Sequence, residues 1–162
     1  MSTHLCTAEV DEQEPDREKV RDRLLGAWEL VSYTATAADG EVVHPLGPDP
    51  HGLIVYTPDG YMSAQLGRAD RPRAGSDRLE ETTKDELAQA TKTYVAYAGS
   101  FEVVDPVTVA HHVTTSLFPN WTGGTQTRTV AFDGEFLNLG ITTPVRLWGA
   151  DRTAELIWRR PN

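Results

Sequence analysis

The chain has 162 residues, 39% of them hydrophobic, and a formal net charge of −9 at pH 7. This length fits one domain with an apolar core, and the acidic balance argues against nucleic acid and anionic membrane surfaces, which would both repel it. A single cysteine, Cys6, excludes an internal disulfide and is typical of a reducing compartment. The first 25 residues are acidic and lack an apolar run, so we expect no secretory signal and a cytoplasmic protein. The excess of arginine over lysine favours a bacterial source.

The amino-terminal segment is predicted to differ from the rest of the chain. Residues 1–22 are expected to form a partly disordered tail with a short helix, and residues 23–162 a single barrel domain. Between Pro15 and Leu25 the apolar residues recur on one side of a helix. This short helix is expected to cap one end of the barrel.

Three β-prone segments follow, and two of them form a predicted hairpin. The segments are Ala27–Thr36, His51–Thr57 and Gly60–Leu66. Pro58-Asp59-Gly60 predicts the turn between the last two, because proline presets φ and glycine accepts a positive φ. Residues 66–81 carry four arginines and no apolar period, so we expect either a long solvated loop or a lid that attracts an acidic ligand. These arginines are Arg68, Arg71, Arg73 and Arg78.

One helix is predicted after this loop. Thr83-Lys84-Asp85-Glu86 matches a capping box, in which the threonine hydroxyl and the glutamate each bond the other residue's amide. Apolar residues then recur at helical spacing as far as Ala98, and Gly99 is a natural C-cap. The pattern therefore predicts a helix over residues 83–98.

Alternating apolar and polar residues return from Ser100 onward. The candidate strands here are Phe101–Val104, Val107–Leu117, Thr125–Phe132, Phe136–Ile141, Val145–Trp148 and Ala154–Trp158, with turns at 105–106, 133–134 and 149–151. Together with the earlier segments they give nine candidate strands. The sequence therefore predicts a mainly β protein: a closed antiparallel β-barrel of about eight to nine strands, with one inserted helix and a short N-terminal helix.

Strand parity selects the polar residues that face the interior. His111 falls in the apolar register of its strand, and Gln126 and Arg128 fall in the apolar register of the next one. The adjacent His112 falls on the solvent side, so the two histidines cannot hold one metal ion from this strand. Burying three polar groups is costly unless they are paired. They are expected either to bond one another and trapped water, or to meet a ligand.

Four stretches of the chain resemble the bacterial and fungal lipocalin-like domain family. They are residues 24–33 (LLGAWELVSY), 52–65 (GLIVYTPDGYMSAQ), 97–99 (YAG) and 111–128 (HHVTTSLFPNWTGGTQTR), and the resemblance spans about residues 23–160. In lipocalin barrels the tryptophan that corresponds to Trp28 plugs the floor, and an arginine from the far end of the chain stacks on it. Trp158-Arg159-Arg160 supplies that arginine here. The resemblance implies a closed barrel with a small-molecule pocket.

Comparable small barrels act as carriers or as cofactor-independent cyclases and isomerases. An enzyme is favoured here, because an inward histidine beside an arginine and a glutamine exceeds what a carrier of an apolar ligand requires. It would act on a polyketide- or terpenoid-like metabolite with a polar oxygen function. His111 would be a general acid or base, and Arg128 and Gln126 would stabilise charge on oxygen. A carrier is the alternative, and an interaction module with a filled interior is the third reading.

The remaining site predictions concern substrate contacts and partners. Trp121 and Asn120, in the turn at the barrel mouth, are expected to close over the ligand, and three tyrosines to supply hydroxyls. The predicted tyrosines and apolar lining residues are Tyr56, Tyr61, Tyr97, Val109, Val113, Val130 and Phe132. The expected partner is a small hydrophobic metabolite, without a cofactor, metal, nucleic acid or membrane. A homodimer is left open.

Overall fold

The computed structural model describes residues 14–162, with side chains from residue 16 onward. The predictions for Cys6 and for the tail before residue 14 lie outside the described residues. The elements in chain order are α1 (Glu14–Leu24), β1 (Gly26–Ala37), β2 (Val42–Val43), β3 (His51–Tyr56), β4 (Tyr61–Gly67), α2 (Lys84–Lys92), β5 (Tyr94–Asp105), β6 (Thr108–Ser116), β7 (Thr125–Asp133), β8 (Phe136–Leu147) and β9 (Ala150–Arg159). Two single 3-10 turns, Leu79–Glu81 and Pro119–Trp121, complete them.

The strands form a closed antiparallel barrel. β1 and the strands from β3 to β9 pair in chain order, and β9 pairs back onto β1, which closes eight strands; β2 adds a short ninth to the edge of β1. The predicted fold class is confirmed. The predicted hairpin at residues 58–60 is confirmed as well, since β3 and β4 pair and Gly60 has φ +91°.

The predicted helix over residues 83–98 is too long. The capping box at Thr83 and Glu86 is present, but α2 ends at Lys92, and Tyr94 starts a strand that pairs with Gly67. Gly99 is therefore no C-cap. It lies opposite a bulge in β6, where a Cβ would collide with the carbonyl oxygen of His112. A short run of apolar residues fits a helix and a strand equally well. Here the pairing of β5 with β4 decides for the strand.

Three strand predictions also change. The candidate strands 136–141 and 145–148 fall in one strand, β8, which ends at Leu147, so β2 is the ninth strand. The turn predicted at 149–151 lies one residue earlier, at Trp148 and Gly149, which both have positive φ. Val107 and Leu117, placed inside by parity, are 60% and 42% exposed. Val107 precedes β6 and Leu117 follows it, so neither is held in the alternating register.

One end of the barrel is closed by α1. The indole N–H of Trp28 donates to the carbonyl of Leu24 at 2.8 Å, and both side chains are buried. The guanidinium carbon of Arg160 lies 3.7 Å from the centre of the Trp28 ring, and the group donates to the carbonyls of Ala27 and Arg23. The predicted stacking of a carboxyl-terminal arginine on Trp28 is confirmed, with Arg160 as the arginine. This end is closed, so a ligand must enter at the other.

Candidate functional site

A cavity of about 480 Å³ occupies the barrel interior and reaches the end opposite α1. Its mouth includes Pro45, Lys92, Trp121 and the β8–β9 turn, whose Trp148 is 61% exposed. Apolar residues form most of the deeper wall: Leu46, Ile54, Ala64, Leu66, Val95, Leu139, Ile141, Leu156 and Trp158. Small-molecule sites typically enclose roughly 300–1,000 Å³ of this mainly apolar kind. The barrel therefore has a cavity of small-molecule size with a single entrance end.

The three polar residues selected by parity meet at this cavity. His111 on β6 lies directly opposite Gln126 on β7, and Val109 lies opposite Arg128. All three polar side chains border the cavity. Neighbouring strands in register thus bring together groups that are 15 and 17 residues apart in the chain. The register is uninterrupted along this strand pair, so the inward parity of each strand holds.

His111 is held between two tyrosine hydroxyls. Its Nε2 lies 2.9 Å from the hydroxyl oxygen of Tyr56, and its Nδ1 lies 3.0 Å from that of Tyr97. The side chain has no exposed surface. Burial, helped by the positive charge of Arg128 and then of His112, lowers the pKa of His111 to about 3. The imidazole is therefore neutral near pH 7, and both of its nitrogens are occupied.

Arg128 faces the cavity without an acidic partner. It donates to the side-chain oxygen of Gln126 at 3.1 Å and to the carbonyl of Thr127 at 2.8 Å. No carboxylate among the described residues forms an ion pair with it. Burial raises the pKa of Tyr97, and the charge of Arg128 and a hydrogen bond from it offset part of that rise. Tyr97 and Arg128 thus line the same cavity, and the charge of Arg128 acts on the Tyr97 hydroxyl.

The charges that line the cavity have one sign. They are Lys92, Arg128 and Arg146, and no aspartate or glutamate lines it in the described part of the chain. The whole chain has a net charge of −9, so the cavity lining is positively charged although the protein as a whole is acidic. Arg146 is largely exposed and lies 3.7 Å from Asp151, a loose pair at the surface. The local field therefore favours an anionic or strongly polar ligand over a cationic one.

The predicted substrate contacts divide into two groups. Trp121 and Tyr97 line the cavity, with their rings edge to face at 6.1 Å between centroids. Tyr56 lies behind His111, buried and outside the cavity lining, and packs edge to face on Phe101. Residues of the barrel core or its closed end that do not line this cavity are Val109, Val113, Val130 and Phe132.

Two predicted contacts are placed outside the barrel. Tyr61 is 57% exposed at the start of β4, next to the closed end. Asn120 is exposed in the 3-10 turn that begins at Pro119, and it does not line the cavity. Neither side chain borders the cavity, and their roles as ligand contacts stay predictions. Tyr61 points outward because the opposite parity of β4 carries Met62, Ala64 and Leu66 inward.

Several lining residues were missed from the sequence. Tyr33 lines the cavity because a bulge between Leu30 and Ser32 shifts the inward parity of β1 by one residue. Lys92 ends α2 and Trp148 lies in the β8–β9 turn, where strand parity carries no signal. Arg146 lies near the end of β8, beyond an irregularity between Ile141 and Val145 that interrupts the parity. Tyr33 could have been found only by recognising the bulge, and no local residue type marks it.

Three arginines of the loop at residues 66–81 are paired with neighbouring side chains of the protein. Arg68 forms a bidentate pair with Asp70, Arg78 bonds Glu81, and Arg71 lies over the ring of Tyr94 at 4.6 Å. No residue between 68 and 81 lines the cavity. The lid interpretation of this loop therefore has no support in the geometry, and the loop is a surface connection.

The described residues contain neither a cluster of metal-ligating side chains nor a membrane-spanning helix. No group of three histidine, cysteine, aspartate or glutamate side chains there comes together as a metal site requires. No helix among them is long and apolar enough to cross a membrane.

Comparison with known proteins agrees with this architecture. The 4′-hydroxy-3′-methoxypropiophenone carrier protein of Aspergillus oryzae is 36% identical over 106 residues, which cover 61% of this chain and 96% of the fungal protein. The lipocalin-like domain family matches residues 25–161, from the strand that carries Trp28 to the arginine that stacks on it. The chain therefore belongs to the lipocalin-like domain family.

Proposed function

We propose that this protein is a carrier that binds an aromatic ketone with an oxygen substituent and releases it unchanged. The observation that carries the proposal is an apolar cavity in which one cation, Arg128, has no carboxylate partner among the described residues. Arg128 is half-buried, and removing part of a charged group from water is costly unless the group is paired. An oxygen of a bound ligand would supply that pairing, while the opposite apolar wall would take up the ring.

The relative from Aspergillus oryzae supports the ligand class. Its name describes a carrier of an aryl ketone that also has a hydroxyl and a methoxy group. A single ring with a short acyl chain fits comfortably in about 480 Å³. The ring would lie among the apolar side chains near Leu139 and Leu156, with an oxygen at Arg128 and Gln126.

A cofactor-independent cyclase or isomerase is the second candidate. The observation that favours it is the chain of hydrogen bonds from Tyr97 through His111 to Tyr56, which begins at the cavity wall. Such a chain is able to move a proton between a ligand and the interior. However, His111 stays neutral near pH 7 and both ring nitrogens are occupied, so it would act only through Tyr97. That arrangement supports a fixed hydrogen-bonding group better than a general base.

The test is calorimetric titration with 4′-hydroxy-3′-methoxypropiophenone, followed by chromatography of the recovered ligand. We expect saturable binding and return of the same molecule. Arg128→Gln should weaken binding by about 10–100-fold, because a hydrogen bond to a charged group contributes roughly 1.5–3 kcal/mol. Arg73→Gln is the matched control, since Arg73 is exposed on the loop and does not line the cavity.

Two outcomes would count against the carrier. Absence of binding in the wild type, with the protein folded, would overturn the aromatic-ketone proposal. A new product that depends on Arg128 and His111 would replace the carrier by the cyclase or isomerase.

A further inference from the structure

The direction of the hydrogen bonds around His111 follows from the burial of Tyr56. The Tyr56 hydroxyl is buried, and Nε2 of His111 is its hydrogen-bond partner in the described structure. Buried hydroxyl hydrogens are almost always paired. Tyr56 therefore donates to Nε2, which leaves the imidazole proton on Nδ1. The opposite direction would leave the Tyr56 hydrogen buried without an acceptor.

This direction fixes what Tyr97 offers to the cavity. With its proton on Nδ1, His111 donates to the Tyr97 oxygen at 3.0 Å. Arg128, which can only donate, lines the same cavity. The Tyr97 oxygen thus receives a hydrogen bond from His111, and its own hydrogen is left for the cavity that Tyr97 lines. Tyr97 faces a ligand as a donor.

Gln126 and Arg128 also present hydrogen-bond donors to the cavity. Because arginine has no acceptor, the bond of 3.1 Å between them fixes the Gln126 amide oxygen toward Arg128 and leaves the amide hydrogens unused. The guanidinium also keeps N–H groups beyond those that bond Gln126 and Thr127. These three groups therefore face the cavity mainly as hydrogen-bond donors, because the Gln126 oxygen already accepts from Arg128 and the Tyr97 oxygen from His111.

One further donor without a partner belongs to a residue of the cavity wall, with its N–H group beneath the surface. Trp158 lines the cavity, and its indole N–H is buried without a hydrogen-bond partner within residues 14–162. Every charged residue that lines the described cavity is a cation. A ligand oxygen that accepts hydrogen bonds and carries negative charge complements such a wall better than a neutral phenol, whose hydroxyl would meet mainly donors and cations there.

We propose that the cavity binds its ligand as an anion, specifically the phenolate form of an acyl phenol, with the phenolate oxygen at Arg128, Gln126 and Tyr97. This inference rests on the proposed function, since it takes an aromatic ketone as the ligand. A carbonyl para to the hydroxyl delocalises the negative charge of the phenolate, so an acyl phenol loses its proton near neutral pH more readily than phenol does. Proton release to water precedes or accompanies binding, and no bond of the ligand skeleton changes.

Preferential binding of the anion lowers the pKa of the bound phenol. The affinity is then expected to rise tenfold per pH unit between the pKa of the bound phenol and that of the free phenol, and to level off above the latter. The phenolate of an acyl phenol absorbs at longer wavelength than the neutral form. The ionisation state can therefore be measured directly on the wild-type complex, without any variant.

The experiment records absorbance spectra of 4′-hydroxy-3′-methoxypropiophenone with excess protein, one pH unit below the pKa of the free phenol. About a tenth of the free ligand is ionised there, and we expect the bound ligand to be mostly phenolate. The 3′,4′-dimethoxy analogue, which cannot ionise, should bind at least tenfold more weakly. Gln126→Glu should also weaken binding at least tenfold, because its carboxylate would pair with Arg128 and repel the phenolate. Arg73→Gln should leave the spectrum of the complex unchanged.

Each outcome has a distinct meaning. A bound ligand with the spectrum of the neutral phenol, or equal affinity for the dimethoxy analogue, would overturn the anionic mode and leave the carrier proposal standing. If neither compound binds at any pH at which the protein is folded, the carrier proposal and this inference fall together.

Discussion

The two ends of the barrel use the same residue types in opposite ways. At the closed end, Arg160 lies 3.7 Å over the Trp28 ring, and the polar hydrogens of both side chains meet backbone carbonyls. At the open end, Trp148 is 61% exposed, and Arg146 has only a loose pair with Asp151 at 3.7 Å. Trp28 and Arg160 stabilise the closed end, whereas Trp148 and Arg146 leave the open end accessible.

The same contrast continues inside the barrel. His111 is satisfied by two tyrosines of the chain itself, whereas Arg128 and the indole N–H of Trp158 have donor capacity that the described residues do not use. Buried polar groups are normally paired, so unused donors that line a cavity indicate a ligand. Residue type alone does not separate structural from functional polar groups here. The presence or absence of protein partners does.

The largest expected effect is at the closed end. Trp28→Ala should lower the free energy of unfolding by about 3–5 kcal/mol, because it removes a buried indole, its hydrogen bond to Leu24 and the surface on which Arg160 stacks. Trp148→Ala is the matched change at the open end and should cost less than about 0.5 kcal/mol. Urea unfolding followed by circular dichroism measures both. Equal losses would contradict the contrast between the ends.

His111 should make the stability of the barrel depend on pH. Burial lowers its pKa in the folded state to about 3, against about 6.5 in the unfolded chain. Between these values the unfolded chain takes up a proton that the folded protein excludes. The free energy of unfolding should therefore fall by about 1.4 kcal/mol per pH unit as the pH drops from 6.5 towards 3, reaching a loss on the order of 4 kcal/mol.

His111→Gln isolates this contribution. The variant lacks the titrating group, so its stability should depend less on pH over the same window, whatever its stability at pH 7. Denaturant midpoints measured at half-unit steps from pH 7 to pH 4 provide the comparison. Parallel curves for the two proteins would mean that His111 takes up its proton in the folded state, contrary to the paired imidazole.

Substitution of the arginine at each end of the barrel should have smaller effects. Arg160→Met should cost about 1–2 kcal/mol of stability, since it removes a cation over Trp28 and hydrogen bonds to two carbonyls, and ligand affinity should not change. Arg146→Met should do the reverse: stability stays constant, and affinity for an acyl phenol above its pKa falls about two- to threefold. Added salt should reduce the second effect only. A loss of affinity in Arg160→Met would show that the closed end also shapes the cavity.

The closed end could be predicted from the sequence more fully than the open end. Gly26, Trp28 and the final arginines are residue types with specific geometric roles, and alternation in β6 and β7 placed His111, Gln126 and Arg128 at the interior. These predictions depend on local pattern, and regular strands preserve it. The roles assigned to the three polar residues stay predictions.

The open end could not be predicted because its residues lie where the pattern is interrupted. A bulge in β1 brings Tyr33 inward, and tertiary pairing ends α2 at Lys92. Trp148 lies in the β8–β9 turn, and Arg146 lies two residues before it. Arg152 is a further case: it is 2% exposed, yet it looks like a surface residue in the sequence. Its partners are the carboxylate of Glu41 at 2.6 Å and two carbonyls, and two of these three acceptors come from more than 100 residues away. Such long-range pairings leave no local signal.

The smallest expected effect concerns the backbone at the open end. Trp148 has φ +50°, and among the described residues other than glycine it is the one with positive φ. This region costs a residue with a Cβ about 1 kcal/mol, and glycine enters it freely. Trp148→Gly should therefore be more stable than Trp148→Ala by about 1 kcal/mol, as measured by thermal unfolding. Both variants lose the same exposed ring at the cavity mouth, so their ligand affinities should agree. If the glycine variant gains stability but binds more weakly than the alanine variant, the strained turn itself holds the entrance in its binding shape.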